Sequence, residues 1–437
     1  MPQSWKIDAA WEPLDIGQPE ERACFAALGI FAHNICLTEG SDALANRLRQ
    51  APLLSGYHLA EWLAWNWWRL RWEPRSKAQD WAFAHRMTTI GHGYIWPNLT
   101  IFSDGERTAL VAKPTDERPQ TPFRYITDRA AVISASDFET EVDVFVEQIM
   151  ERLRLSEVKE SNLQTVWNGV LEERRSPELT RARKFEALLG SDPDETDSER
   201  LARMAADAED LSIPAVEELA AEHGQSNTLL TGDELRRIAE ERGFDSSPRD
   251  VVRLYAGTRL PRGEDVAAWR RGAHAARALR SQQGMGEQPI SDKRLAEMAG
   301  VRRSILEDRN GAPGISFSLD DKPTEGRTVL RPKWHAGRRF ELARILGDRV
   351  LGPKDGKLFP ATRAYTYRQK MQRSFAAEFL SPFAAVDEML DGDYSTESQM
   401  DVAEHFQVSE LTVRTMLVNH GRVEREDLDG DLEIGAA

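Results

Sequence analysis

The 437-residue chain is short of cysteine, of long apolar runs and of positive charge, and each shortage removes a class of function. Only Cys24 and Cys36 occur, both inside the apolar run ACFAALGIFAHNIC. Cysteines so placed read as small buried hydrophobes rather than as a disulfide, which fits a reducing cytoplasm. Nowhere do about 18 uncharged apolar residues stand together, as a membrane span needs. The opening MPQSWKIDAAWEPLD has no charged segment leading into an apolar one, so no export signal is expected. A formal net charge of −15 and a sequence pI near 5.3 argue against a general surface for nucleic acid or anionic lipid. No phosphate-cradling glycine loop, G-x-S-x-G elbow, internal repeat or low-complexity tract is present.

What is present divides the chain into three segments, in keeping with the two to four domains such a length supports. Nine of the twelve tryptophans precede residue 100, which sets residues 1–155 apart as a Trp-rich α+β domain. Within it Ser41 to Gln50 and His58 to Trp72 read as helices. GYIWPNLTIFSDGERTALVAKP reads as two strands joined at Ser103-Asp104-Gly105, PFRYITDRAAVIS as further extended chain, and DFETEVDVFVEQIMERLRL as a helix. Residues 156–262 are polar, Glu/Arg-rich and expected to be helical throughout. The acidic run Ser191 to Glu199 lacks the Gly at the sixth place and the Glu at the twelfth that a calcium loop counted from Asp192 requires, so it reads as a solvated helix start. Residues 263–437 form the third segment, ending in an acidic tail over 424–437. The predicted class is α+β and mostly helical.

The third segment holds the helix GEDVAAWRRGAHAARALRSQQG, then ISDKRLAEMAGV, a strand pair in GISFSLDD and GRTVLRPKW, and the helix RRFELARILGDRVLG. LFPATRAYTYRQKMQRSFAAEFLSP follows as a long helix closed by Pro382, then ESQMDVAEHFQVSELTVRTMLVNHG. This order, with FAAEFLSP and VSELTVRTML, resembles the ImmA/IrrE family of zincin-like metallo-endopeptidases over about residues 263–423. The resemblance implies a zincin-like domain with a helix-turn-helix-like end, and a bacterial role in stress response, mobile elements or phage defence. It also implies a protein partner such as a repressor, an effector or a phage component.

In that family the RRFELA helix continues into His-Glu-x-x-His, which grips zinc and polarises its water. Here the motif reads Arg344-Ile345-Leu346-Gly347-Asp348, and the third ligand position falls on Gln369, with no Asp or Glu anywhere between Asp355 and Glu378. A guanidinium, one carboxylate and an amide do not make a zinc site, so neither metal nor cofactor is expected and the peptidase reads as dead. Arg344 and Asp348, one turn apart on an apolar helix, are expected to form a buried ion pair with Gln369 within hydrogen-bond reach. The competing reading is a zinc peptidase whose site is completed by His335 or the N-terminal histidines.

Three other groups are candidates. Over Thr396 to Gly421 a helix, a turn at Gln407-Val408 and an N-cap at Ser409 would place Glu410, Thr412, Arg414 and Thr415 in a DNA groove. Glu397, Asp401, Glu404 and the acidic tail oppose phosphate, so packing is the favoured reading. In YHLAEWLAWNWWRLRWEP, Trp62, Trp65 and Trp72 share a face while Trp67 and Trp68 lie elsewhere. With Arg69 and Arg71 they form either core or a partner-binding surface, and core is favoured. His58 and Glu61, with His85 and His92, are a candidate polar site of no standard spacing, where satisfied structural histidines are the favoured reading.

Overall fold

The computed structural model describes residues 4–78, 80–115, 121–261, 263, 266–352 and 356–424. Helix accounts for about 50% and strand for 16%, which makes the protein mixed α+β. The chain forms two compact units, one ending at Asp197 and the other beginning at Ser198. No helix among the described residues is long and apolar enough to cross a membrane.

The N-terminal unit runs β1 (Trp5–Trp11), α1 (Pro19–Ala23), β2 (Phe25–Ala32), β3 (Ile35–Cys36), β4 (Gly40–Asp42), β5 (Arg47–Arg49) and β6 (Leu53–Ser55), then α2 (Gly56–Trp65), α3 (Trp67–Trp72) and α4 (Trp81–His85). It continues through β7 (Leu99–Ser103), β8 (Arg107–Ala112), β9 (Phe123–Tyr125) and β10 (Arg129–Ser134) to α5 (Ala135–Leu155), α6 (Asn162–Arg175) and α7 (Pro177–Leu189). Three small antiparallel sheets result: β1-β2-β3 with β6 also on β2, β10-β8-β7, and β5-β4-β9. Strands β1, β8 and β10 pack against α5, whose Phe138, Val142, Phe145, Val146, Ile149 and Leu153 repeat at helical spacing and are all buried. Phe138 lies flat on Trp5 of β1, with 5.2 Å between ring centroids. Each such side chain contributes roughly 1.5–3 kcal/mol by leaving water. Both cysteines are free thiols, and burial pushes that of Cys24 up to about 12.

The expected hairpin at Ser103 to Arg107 and the helix over α5 are present. Two other expectations are corrected. Ser41 to Gln50 is a hairpin, because the Asp42 carboxylate accepts from Leu44 N and Ala45 N, pairs with Arg49, and Asn46 takes the left-handed φ of 49° that closes the turn. His58 to Trp72 is two helices, because Asn66 leaves helical geometry and its amide donates to Trp62 O at 2.8 Å.

The C-terminal unit begins with α8 (Ser198–Leu211), α9 (Ile213–Ser226), α10 (Gly232–Arg242) and β11 (Phe244–Ser246), then α11 (Ala268–Gln282), α12 (Asp292–Met298) and α13 (Ser304–Glu307). After them come β12 (Ser316–Lys322), β13 (Glu325–Val329), α14 (His335–Leu351), β14 (Leu358–Ala361), α15 (Tyr367–Leu380), α16 (Phe383–Leu390), α17 (Thr396–Phe406) and α18 (Glu410–Asn419). Among the described residues its sheet has the order β11-β13-β12-β14, every pair antiparallel.

The expected middle domain over 156–262 is therefore divided. Helices α6 and α7 join the first core through Leu163, Trp167, Val170 and Ala187, while α9, α10 and β11 close the sheet of the second. Nor is that stretch all helical, since β11 is a strand held by β13. Residues 358–361, expected to open a long helix, instead form β14 against β12, because Pro360 cannot donate within a helix and the edge of the sheet takes it.

Helices α11 and α15 approach most closely at Gly272, where a Cβ would lie 2.9 Å from Phe375 N and nearer still to Met371 O. Ser374 Oγ bonds Trp269 O across the same contact at 2.7 Å. Gly272→Ala should thus destabilise this unit by roughly 1–3 kcal/mol through overpacking, more than the ~1 kcal/mol that alanine gains in helix propensity. A urea midpoint that rises in this variant would contradict the close approach.

Candidate functional site

Helix α14 buries five charged side chains, Arg338, Arg339, Glu341, Arg344 and Asp348, among Leu342, Ala343, Ile345 and Leu346. A buried charge without a partner is costly, so the positions of these groups are dictated by what neutralises them. Arg338 donates to Ile305 O at 2.7 Å and Pro332 O at 2.8 Å, and Arg339 to Ile290 O at 2.7 Å and to Asp292. These two fix the start of the helix on α12 and α13.

The expected pair between Arg344 and Asp348 is not made, although both are buried, at 4% and 0% exposure. Each takes another partner. Arg344 bonds Glu341 at 3.0 Å, Gln369 Oε1 at 2.7 Å and Thr362 O at 2.6 Å. Asp348 is gripped at both oxygens by Arg368, at 2.7 Å and 2.7 Å, in a two-bond fork reaching across from α15. The expected reach of Gln369 to Arg344 is present: Oε1 also accepts from Thr362 N at 2.9 Å, and Nε2 donates to Pro360 O at 3.1 Å. Gly347, between the two charges, lets α15 close in, since a Cβ there would stand 2.5 Å from the Phe375 ring.

Two members of this cluster escape a reading of the motif alone. Arg368 lies beside Gln369 and faces Asp348. Glu218, fully buried on α9, accepts from Thr366 Oγ1 at 2.7 Å, and Thr366 is itself the N-cap of α15. The carboxylate missing between Asp355 and Glu378 thus arrives from 148 residues upstream. One turn further along α9, Glu222 binds Arg363 through its backbone N at 2.6 Å and its Nε at 2.8 Å. The spacing of Glu218 and Glu222 on an amphipathic helix was the available signal; their destination was not.

The electrostatics follow from burial. Desolvation raises the Glu218 carboxyl to about 7, against the opposing pull of Arg368 and the Thr366 and Gln369 hydrogen bonds, with Asp348 adding repulsion. Burial works to lower Arg368, but the charge and hydrogen bonds of Asp348, with Glu218 and Glu217 beyond, outweigh it and hold the guanidinium cationic. At the edge of the cluster Arg349 bonds Ser318 Oγ at 2.6 Å and pairs with Asp320.

These residues do not fit zinc. A guanidinium stands at the first ligand position, both Asp348 oxygens are occupied by a second guanidinium, and an amide stands at the third. His335 is elsewhere, 2.8 Å from Asp292. Among the described residues no group of three or more His, Cys, Asp or Glu side chains is placed to hold a metal ion.

The remaining candidates separate. At the C-terminal end Ser409 caps α18 by accepting from Thr412 N, and the buried Thr412 hydroxyl lies 2.9 Å from that of Ser409, so Thr412 cannot face a groove; Glu410, Arg414 and Thr415 are half-buried. The tail from residue 425 lies outside the described residues. Of the tryptophan group, Trp62, Trp67, Trp68 and Arg69 are buried, Trp72 is half-buried between Arg71 and Lys184, and only Trp65 is exposed, so core packing accounts for most of it. Arg69 serves Glu73 at 2.7 Å and Asp192 at 3.3 Å, and Arg183 binds Asp194 at 2.8 Å, so part of the acidic run expected to be solvated is neutralised internally. His85 leaves the other histidines and is fixed between Glu73 Oε2 at 2.9 Å and Ile101 O at 2.7 Å, whereas His58, Glu61 and His92 do come together. Comparison with known proteins adds no relative: no family model matches the chain, and no curated protein or solved structure does.

Two outcomes test the network. Truncating one partner of a buried pair leaves the other charge alone, so Asp348→Ala should cost about 3–5 kcal/mol. In a double-mutant cycle Asp348 should couple strongly to Arg368 and negligibly to Arg344; the reverse would restore the i, i+4 pair. For Glu218, a carboxyl raised in the folded state stabilises while protonated. Its contribution is whole below its ordinary 4.5 and is lost as pH rises through about 7. Glu218→Gln should flatten this dependence, with a gain on the order of 3 kcal/mol above pH 8 relative to the parent. Parallel stability profiles for the two proteins would refute it.

Proposed function

We propose that the protein is a non-catalytic regulatory or interaction protein whose C-terminal unit keeps an ImmA/IrrE-like order of elements without the peptidase chemistry. Its setting would be bacterial stress, mobile-element or phage-defence regulation in the cytoplasm, with a protein such as a repressor or phage component as partner. The observation that supports this reading is the double commitment of the motif positions. Arg344 is spent on Gln369 and Thr362, and Asp348 on Arg368. A hydrolytic zinc site needs three protein ligands and an open position for water, and a general base beside it. A guanidinium offers neither a lone pair for a metal nor a vacant coordination position.

Metal analysis of the purified full chain is the direct test. Zinc should be substoichiometric and unaffected by Asp348→Ala, and casein and peptide substrates should survive incubation with the protein and added zinc. Stoichiometric zinc lost on Asp348→Ala, with cleavage lost in parallel, would reinstate the peptidase.

A further inference from the structure

On α2 of the N-terminal unit, His58, Glu61 and Trp65 fall at i, i+3 and i+7 and therefore share one face. That face is not closed by the core. Trp65 is 56% exposed, while the Glu61 and His58 side chains are 18% and 12% exposed. Over His58 lies the imidazole of exposed His92, parallel to within 10° at 3.9 Å. His92 is there at a conformational cost, since its φ is +56° between Gly91 at +73° and Gly93 at +80°. A non-glycine residue in the left-handed region costs on the order of 1–3 kcal/mol, and such strain gathers at binding sites.

The polar atoms on this face leave one position open. Tyr57 Oη at 3.2 Å and Asn162 Nδ2 at 2.8 Å both donate to Glu61 Oε1. Oε2 faces His58 Nδ1 at 4.0 Å, beyond hydrogen-bond distance, and that buried nitrogen has no hydrogen-bond partner. His58, Asn162 and Tyr57 hold the Glu61 carboxyl below its usual range against the opposing effect of burial. Close by, Tyr94 donates to Glu21, adding a second acid to the same surface.

An anion, an exposed indole one turn away and an exposed imidazole face call for a flat cation that can pair and stack at once. We propose that this face of α2 binds an arginine side chain of a protein partner. Its guanidinium donates to Glu61 Oε2 and stacks on the aromatic surface of Trp65 or His92. A lysine ammonium matches the charge but not the plane. The overall charge of −15 favours approach of a basic segment. The inference concerns a different unit from the proposed dead peptidase site and stands or falls without it.

Fluorescence anisotropy with the full chain tests it, using a short labelled peptide with one arginine beside versions carrying lysine or the uncharged isostere citrulline. The arginine peptide should bind tightest, with citrulline weaker by about tenfold or more. Glu61→Gln and Trp65→Ala should each lose about tenfold. His92→Gly relieves the backbone strain, so it should keep or raise the thermal midpoint while weakening binding. Equal affinity for arginine and citrulline, lysine binding as tightly as arginine, indifference to Glu61→Gln and Trp65→Ala, or no binding at millimolar peptide would each overturn the assignment.

Discussion

The cost of removing charge from water governs the C-terminal unit more than any single apolar contact. Helix α14 carries its charges into the interior, and a lone buried ion costs several kcal/mol even after relaxation, so every charge on it must be answered, and apart from the Arg344–Glu341 pair the answers come from other elements. Arg338 and Arg339 are answered by α12 and the carbonyls around α13, Arg344 by Gln369 on α15 and Thr362 after β14, and Asp348 by Arg368. These demands reach the surrounding strands and helices, so α14 fixes their placement as much as it is held by them. Thr366 shows how tightly the parts are shared: one hydroxyl caps α15 through Gln369 N and donates to Glu218 on α9.

The N-terminal unit meets the same constraint with aromatic surface. Its tryptophan-rich helices are too apolar to lie on the outside, yet Arg69 and Arg71 are among them. Both arginines are drawn inside with carboxylates, Glu73 for one and Glu139 for the other. The indole faces are used in turn: Arg71 lies 3.6 Å over the Trp72 ring with Lys184 4.0 Å away, and Arg174 lies 4.7 Å over Trp67. What reads in sequence as alternation of bases and aromatics, suited to stacking nucleobases, is satisfied within the fold. Trp65 is the exception, and it shares its face with the unpaired His58 nitrogen.

Local rules carried the reading wherever the answer was local. The apolar spacing of α5, the Asp-Gly turn between β7 and β8 and the Ser409 cap of α18 all follow from periodicity or turn chemistry within about one turn of chain. The failures share a different cause. Ser41 to Gln50 holds helix-compatible residues, but a short-range Asp42 turn and β9 claim it for a sheet. The expected pairing of Arg344 with Asp348 took sequence proximity as the rule, whereas inside a protein the better fork-shaped geometry wins even from another helix. Glu218 was beyond reach for the same reason, since nothing local to α9 says which buried hydroxyl or guanidinium will receive it.

A cation still occupies the middle of the network, and its chemistry decides what that network can do. Arg368 sits between Asp348, which grips it, and Glu218, which feels its charge, much as a divalent ion would sit among carboxylates. A metal ion, however, keeps an open coordination position and lowers the pKa of a water placed there. A guanidinium has its charge spread over a plane of donors, accepts nothing, and is satisfied by the oxygens that hold it. Such an arrangement can orient helices and set a pH range for stability through Glu218, but it has no means of activating a nucleophile. Recognition of a protein partner, as proposed, would then rest on surface shape supported by that buried cross-link rather than on chemistry within the cluster.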